Sequence, residues 1–301
     1  MLINVQGHDA YCYTGGKPFD ATLPTAVFIH GAQNDHSVWI LQTRYFAHHG
    51  FSVLAVDLPG HGRSQGAPLT TVELMSDWLL ALLKAANVTK ALLVGHSMGS
   101  LIALETAGRT PSSVLIGGIA MVASAYPMKV SEVLLEAANN DQPTAIAMVN
   151  KWSHASFVQK PSSPGPGFYV LGGSQRLMEH IARGDKRNLG NIAKVADQSN
   201  TKNPTITTNT AKGDTVFYTD FMACNTYQHG DVAASAIRCP TLFLLGKRDA
   251  MTPPKAAKTI VGRIPHAKVA LIDSGHALMA EQPDAVLGEL FHFATDIAWL
   301  E

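Results

Sequence analysis

Gly95-His96-Ser97-Met98-Gly99 lies between an apolar run, Lys90 to Gly95, and a stretch of helical spacing from Met98 to about Gly108. A Gly-x-Ser-x-Gly pentapeptide in that position predicts a sharp turn from strand to helix with the serine at its tip. The two glycines follow from the geometry. Such a turn holds the serine backbone in a strained conformation and leaves no room for a side chain on either flank. Ser97 is therefore the candidate nucleophile. A serine hydroxyl is a weak nucleophile at neutral pH, so it needs a general base, and the base needs a group that holds its tautomer.

The C-terminal part supplies both partners. The apolar run Thr241 to Leu245 is followed by Gly246-Lys247-Arg248-Asp249, and the run Lys268 to Ile272 by Asp273-Ser274-Gly275-His276. With each run a strand of one parallel sheet, Asp249 and His276 emerge at the same carboxyl edge as Ser97, where open α/β sheets bind ligands. The chain order Ser, Asp, His is also the one expected for a serine on a strand-to-helix turn. A third loop, His30-Gly31-Ala32 after the strand beginning at Thr25, has backbone N–H groups able to face the serine. The amides of Ala32 and Met98 are assigned to an oxyanion hole, which needs donors fixed in advance where negative charge develops.

On either side of the pentapeptide, Thr25 to His30, Phe51 to Val56, Lys90 to Gly95 and Val114 to Ala123 alternate with helical stretches opening near Ser37, near Thr71 and at Met98. This is the βα rhythm of a parallel sheet, with Ser37 read as an N-cap. After Ser124 the rhythm stops. Helical pieces then alternate with polar or Pro/Gly-rich loops, among them Pro161 to Gly167, with helix starts expected at Asp141 and Asp214. The rhythm resumes at Thr241, with a helix from Pro253 and a closing helix after Pro283. The expected organisation is a core of residues 1–124 and 233–301 with an inserted helical unit at residues 125–232.

Composition narrows the partners. Of the 301 residues, 46% are hydrophobic and 15% charged, which excludes a disordered or fibrous chain. Lys plus Arg, 23, equals Asp plus Glu, 23, so no basic surface for nucleic acid or an anionic membrane is expected and the partner is a small-molecule substrate. The apolar segment Val114 to Ala123 is far shorter than the roughly 20 residues of a spanning helix, and Met1 to Val5 does not resemble a signal peptide. Cys12, Cys224 and Cys239 are too few and scattered for a disulfide framework or a CxxC zinc site, so a reducing cytoplasm is expected. The 13 histidines contain no H-E-x-x-H cluster, and neither metal nor other cofactor is expected. His30, His61 and His96 read as hydrogen-bonded structural residues, and Asp57 as part of a structural loop. A monomer or homodimer is expected.

Taken together, His30-Gly31, Asp57-Leu58-Pro59-Gly60-His61-Gly62-Arg63-Ser64, Gly95-His96-Ser97-Met98-Gly99, Gly246-Lys247-Arg248-Asp249 and Gly275-His276 resemble the α/β-hydrolase family, in the branch with a helical cap inserted after the sixth core strand. The resemblance implies an eight-stranded, mostly parallel sheet with helices on both faces and Ser97, Asp249 and His276 as a triad. It implies cofactor-independent hydrolysis of a small, partly apolar ester, thioester or lactone through an acyl-enzyme. Carbon–carbon bond hydrolysis or perhydrolysis on the same triad is the alternative; a hydrolase-fold ligand receptor with little turnover is the alternative of another class. Some relatives carry the acid after the sixth strand, but Ala123-Ser124-Ala125-Tyr126 offers no carboxylate there, which favours Asp249. Substrate choice is expected in the cap, with Gln33, Trp152, Phe168, Phe217 and Phe221 as wall candidates and Trp39 a weaker one. Core packing is the commoner fate of such residues.

Overall fold

Apolar runs flanked by helical stretches become strands covered on both faces, and the computed structural model shows how they pair. It describes residues 1–109, 114–155, 170–196 (side chains to 184) and 215–299. The strands are β1 (Leu2–Val5), β2 (His8–Tyr13), β3 (Thr25–Ile29), β4 (Ser52–Val56), β5 (Lys90–His96), β6 (Leu115–Val122), β7 (Thr241–Gly246) and β8 (Lys268–Ile272). They form one eight-stranded sheet in the order β1-β2-β4-β3-β5-β6-β7-β8, parallel from β4 to β8. The antiparallel β1–β2 hairpin at the edge lies outside the βα rhythm read from the sequence. Its signal is Gln6-Gly7, both with positive φ (53° and 88°), the backbone of a tight primed turn.

Side chains alternate across the sheet with a period of two. Val27, Ile29, Leu54, Val56, Leu93, Met121 and Phe243 point to the face covered by α2 (Val72–Ala85), α3 (Met98–Arg109) and α8 (Gly230–Ala236). Ala26, Phe28, Val53, Ala55, Leu92, Val94 and Leu244 point to the face covered by α1 (Ile40–His48) and α11 (Pro283–Thr295). Short α9 (Lys258–Val261) and α10 (Leu278–Glu281) complete the core. Thr71 caps α2 through the Leu74 N–H. Ser37, however, is not the cap that its position suggests: Asp35 accepts the Ser37 N–H at 2.8 Å and opens a 3-10 turn that leads into α1.

Between β6 and β7 lie α4 (Glu132–Asn140), α5 (Gln142–Ser153), α6 (Val170–Ala196) and α7 (Val216–Thr226). They share a small core of their own built on Leu134, Ile146, Val149, Met178, Phe217 and Phe221. Asp141 caps α5, with Pro143 in the first turn, as its sequence predicts. The start expected at Asp214 lies outside the described residues; Thr215 caps α7. The expected boundary at 232 falls inside α8, which packs on α3 so closely that a Cβ on Gly108 would lie 2.9 Å from the Ala233 Cα. Buried Glu105 of α3 accepts from the Tyr227 hydroxyl (2.7 Å) and His229 Nδ1 (2.9 Å), anchoring the end of the insert to the sheet layer. Among the described residues, no helix is long and apolar enough to cross a membrane.

Candidate active site

Strand β5 ends at His96 and the next residue, Ser97, takes φ 52° before α3 begins. A non-glycine residue is sparsely found in that left-handed region and persists only where its surroundings hold it there. Here the Ser97 N–H donates to the Val122 carbonyl (2.8 Å), and the Ser97 carbonyl accepts from the N–H (2.8 Å) and hydroxyl (2.6 Å) of Ser100. The flanking glycines are required by space. A Cβ on Gly95 would overlap the Gly99 carbonyl, and one on Gly99 would lie 2.6 Å from the His30 carbonyl oxygen. Around it His96, Met98, Gly99 and Ser100 are all buried, whereas Ser97 remains half-buried.

The β7 and β8 loops are laced together, which brings Asp249 and His276 to one place. Lys247 N–H donates to the Ile272 carbonyl (2.8 Å) and Arg248 N–H to that of Ser274 (3.0 Å). His276 Nδ1 then donates to Asp249 Oδ2 at 2.8 Å, both side chains being buried. The other carboxylate oxygen, Oδ1, accepts the N–H groups of Met251 and Thr252, each at 2.8 Å, while the Thr252 hydroxyl lies 2.7 Å from Oδ2. Burial alone would raise the Asp249 carboxyl; the charge and hydrogen bond of His276 and the Thr252 bonds outweigh it and hold the group well below the usual carboxylate range. Asp249 is thus an acceptor at Nδ1, which leaves the Nε2 lone pair of a neutral His276 available.

The loop after β3 closes against the serine turn. A Cβ on Gly31 would lie 2.9 Å from His96 Nδ1 and 3.2 Å from the Ser97 Cβ, so the chain at Ala32 passes directly beside Ser97. Met98 is the first residue of α3, and the first N–H groups of a helix have no acceptor within it. Ala32 and Ser97 line the same two chambers.

Those chambers meet at Ala32, Ser97, Phe221, Met251 and His276. The larger, about 650 Å³, is walled by aliphatic and thioether groups such as Val149, Leu177, Met178 and Met279. Its exposed members include Ile40, Leu41 and Arg44 of α1, Gly173 of α6, Ala280 of α10 and Asp284 of α11, so it opens to solvent among those helices. The smaller, about 410 Å³, includes Met128, Leu134, Trp152 and Cys224. Of the wall candidates, Phe221 lines both chambers and Trp152 the smaller one. Phe168 lies outside the described residues. Two candidates are corrected. Gln33 is fully buried and lines neither chamber, because its left-handed backbone (φ 56°) turns its side-chain amide to the Met178 carbonyl, 3.0 Å away. Phe217 is consumed in the insert's own core against Phe221. Trp39 likewise packs on Phe28 and His96.

Three further groups support this arrangement, of which the sequence singles out His96 alone, as a hydrogen-bonded structural residue. His96 Nε2 donates to the His276 carbonyl (2.9 Å), tying the serine turn to the histidine loop. Buried Glu281 accepts the N–H groups of Gly275 (2.5 Å) and Ala155 (3.1 Å), clamping that loop to the end of α5. Thr252 carries a local signal: Asp249-Ala-Met-Thr252 ahead of two prolines has the spacing of an Asp that caps the backbone three residues on. The other two are contacts between distant segments. Asp57, read as structural, accepts from the ring (2.7 Å) and backbone N–H (2.9 Å) of His36 and from the Arg63 N–H (2.9 Å). Asp35, His36 and Asp57 are the one group of metal-capable side chains among the described residues, with ligand atoms within 4.8 Å, and these hydrogen bonds already engage them.

The buried histidines make stability depend on pH. Burial pushes His30 down to about 4 and His96 down to about 3, from about 6.5. The unfolded chain therefore binds more protons at these sites between those limits, and stability falls as pH drops below about 6.5. His61, whose pKa is raised despite burial because Asp220 lies beside it, contributes fully below 6.5 and does not reverse the slope. The urea midpoint at pH 5 is expected below that at pH 6.5, a window in which the His61 contribution is nearly constant; an equal or higher midpoint contradicts the assignment of both rings as neutral.

A serine on a strained strand-to-helix turn, with an acid–histidine pair following it at the same edge of a mainly parallel sheet, defines an α/β-hydrolase fold. Residues 24–283 match that family, alpha/beta hydrolase fold, and the chain belongs to it. Its architecture is similar to that of the enol-lactonase from Burkholderia xenovorans LB400 (TM-score 0.76, 18% identity, covering 98% of this chain and 100% of that one). It is also similar to an esterase from Exiguobacterium antarcticum (TM-score 0.74, 15% identity, covering 98% and 99%). At those identities the likeness concerns the fold. Among curated proteins, the (E)-2-((N-methylformamido)methylene)succinate hydrolase of Acinetobacter baylyi is 35% identical over 89 residues, 29% of this chain and 34% of that protein. The chain spans about a third of the length of the first curated relatives it matches.

Proposed function

We propose that the chain is a serine hydrolase acting on an ester, thioester or lactone with a substantial apolar part. The observation that carries this reading is the buried 2.8 Å Asp249–His276 hydrogen bond beside a cavity whose wall holds Ser97 on its strained turn. His276 Nε2 takes the Ser97 proton as Oγ adds to the carbonyl carbon. The resulting oxyanion is held by the N–H groups of Ala32 and Met98, and Asp249 stabilises the imidazolium. Collapse breaks the acyl–oxygen or acyl–sulfur bond, with the proton passing from His276 to the leaving group; water repeats the sequence and frees the acid.

Chamber size bears on the substrate. A volume of about 650 Å³ lies within the roughly 300–1,000 Å³ of pockets that hold drug-sized ligands, far more than an acetyl group fills. Each buried methylene contributes about 0.8 kcal/mol, a ceiling of about fourfold in kcat/KM per carbon. Across p-nitrophenyl acetate, butyrate, hexanoate and octanoate, kcat/KM is expected to climb by about two- to fourfold per methylene. Lactones and β-diketones complete the panel: faster turnover of a diketone than of any ester assigns carbon–carbon cleavage instead. No turnover of any of them, and no labelling by a fluorophosphonate, overturns the enzymatic reading.

A further inference from the structure

We propose that Asp220 is a positioning residue through which the helical insert sets the Ala32 oxyanion donor; this rests on the serine-hydrolase reading above. Asp220 lies in α7 and is fully buried. Its Oδ2 accepts the Gln33 N–H at 2.8 Å and lies 2.9 Å from His61 Nε2. The other ring nitrogen of His61, Nδ1, lies 3.1 Å from the Pro59 carbonyl. Both nitrogens face oxygen acceptors, so the ring carries two protons and pairs with the carboxylate as a buried cation.

The peptide that Asp220 grips is the one joining Ala32 to Gln33. Its N–H is held by Asp220 and its carbonyl, that of Ala32, by Asn34 Nδ2 at 3.1 Å. With that plane fixed and Gly31 wedged against His96 and Ser97, the Ala32 N–H has little freedom left. Gln33 sits at φ 56°, a conformation that survives only where surrounding bonds over-determine it, and its side chain is held from α6 as well, at the Met178 carbonyl. Both restraints on Gln33 come from the insert, not from the sheet. A shift of α6 and α7 therefore carries away the acceptors that hold the oxyanion loop, so seating of the insert and competence of the oxyanion hole are coupled.

D220A leaves the Gln33 N–H without its acceptor. It is expected to lower kcat on p-nitrophenyl butyrate by about 10- to 100-fold, part of the roughly 10²–10³ that removing a donor outright causes, with KM changed less than about threefold. Affinity for a trifluoromethyl ketone, whose Ser97 adduct places an oxyanion in the same hole, is expected to fall by the same factor as kcat. D220N keeps the shape: its carbonyl oxygen at the Oδ2 position still accepts the Gln33 N–H and faces His61 Nε2, so activity is expected within about threefold of wild type. Circular dichroism confirms folding, and D220S is measured against the same limits if D220A does not fold. Unaltered kcat in folded D220A, a loss confined to KM, or an equal loss in D220N overturns the proposal. Absent wild-type turnover, or turnover that survives S97A, sinks the serine-hydrolase reading; Ser97-dependent turnover with kcat unaltered in D220A sinks this proposal alone.

Discussion

Ser97→Ala is expected to turn over p-nitrophenyl butyrate at least about 10⁴-fold more slowly than the parent enzyme and to take no fluorophosphonate label. The change removes the Oγ that carries the acyl group in the proposed mechanism, and a factor of 10⁴ corresponds to about 5.4 kcal/mol of barrier. Activity does not fall to the rate in water, because the amides assigned to the oxyanion hole and both chambers still bind and polarise the carbonyl. KM is accordingly expected to move only a few-fold. The fold is expected to be insensitive, since the Ser97 backbone is held by Val122 and Ser100 and alanine keeps its Cβ. Thermal unfolding within about 0.5 kcal/mol of the parent is the control that separates lost chemistry from lost structure. Esterase activity or labelling retained in folded S97A removes Ser97 from the mechanism.

How much of this site can be read from the chain depends on how local its causes are. The serine turn is legible because Gly95 and Gly99 answer to contacts within one strand-turn-helix unit and its neighbouring strand. Asp249 and His276 are legible because parallel strands deliver their following loops to one edge, whatever the loops do next. Gln33 misleads for the opposite reason. Its position next to Ala32 suggests a pocket wall, but the direction of its side chain follows from a left-handed backbone that is held from α6 and α7, far away in sequence. Phe217 and Phe221 differ by four residues on one helix and both belong to the insert's core, and nothing in their spacing tells that Phe221 also reaches the chambers. The β1–β2 hairpin escapes the sequence reading although Gln6-Gly7 carries a turn signal, because two short strands without a following helix break the βα rhythm. His96, Glu281 and Asp220 act through backbone groups of distant loops, a kind of partner that leaves no mark on residue spacing.

Asp249→Asn tests the pair by its proton and not by its size, and kcat is expected to fall by about 10⁴-fold with KM nearly unchanged. The surroundings dictate how the new side chain sits. Its amide nitrogen cannot occupy the Oδ1 position, where the N–H groups of Met251 and Thr252 both donate, without setting donor against donor. It is therefore driven to the Oδ2 position, facing His276 Nδ1 at the 2.8 Å now spanned by a hydrogen bond. The Thr252 hydroxyl has an alternative acceptor in the Ala123 carbonyl, 3.0 Å away, and does not oppose this orientation. An amide donor at Nδ1 selects the tautomer with its proton on Nε2, and that ring has no lone pair to take the Ser97 proton. The neutral side chain also stabilises the imidazolium less, so the loss has a second contribution of the same sign. Raising the pH is not expected to restore the rate, because the missing lone pair comes from tautomer choice and not from titration. Two-dimensional NMR of ¹⁵N-labelled His276 reads the tautomer directly: a parent ring protonated at Nδ1 and a D249N ring protonated at Nε2 is the expected result. An unchanged tautomer with a rate within about tenfold of the parent would show that the proton leaves Ser97 by some other route.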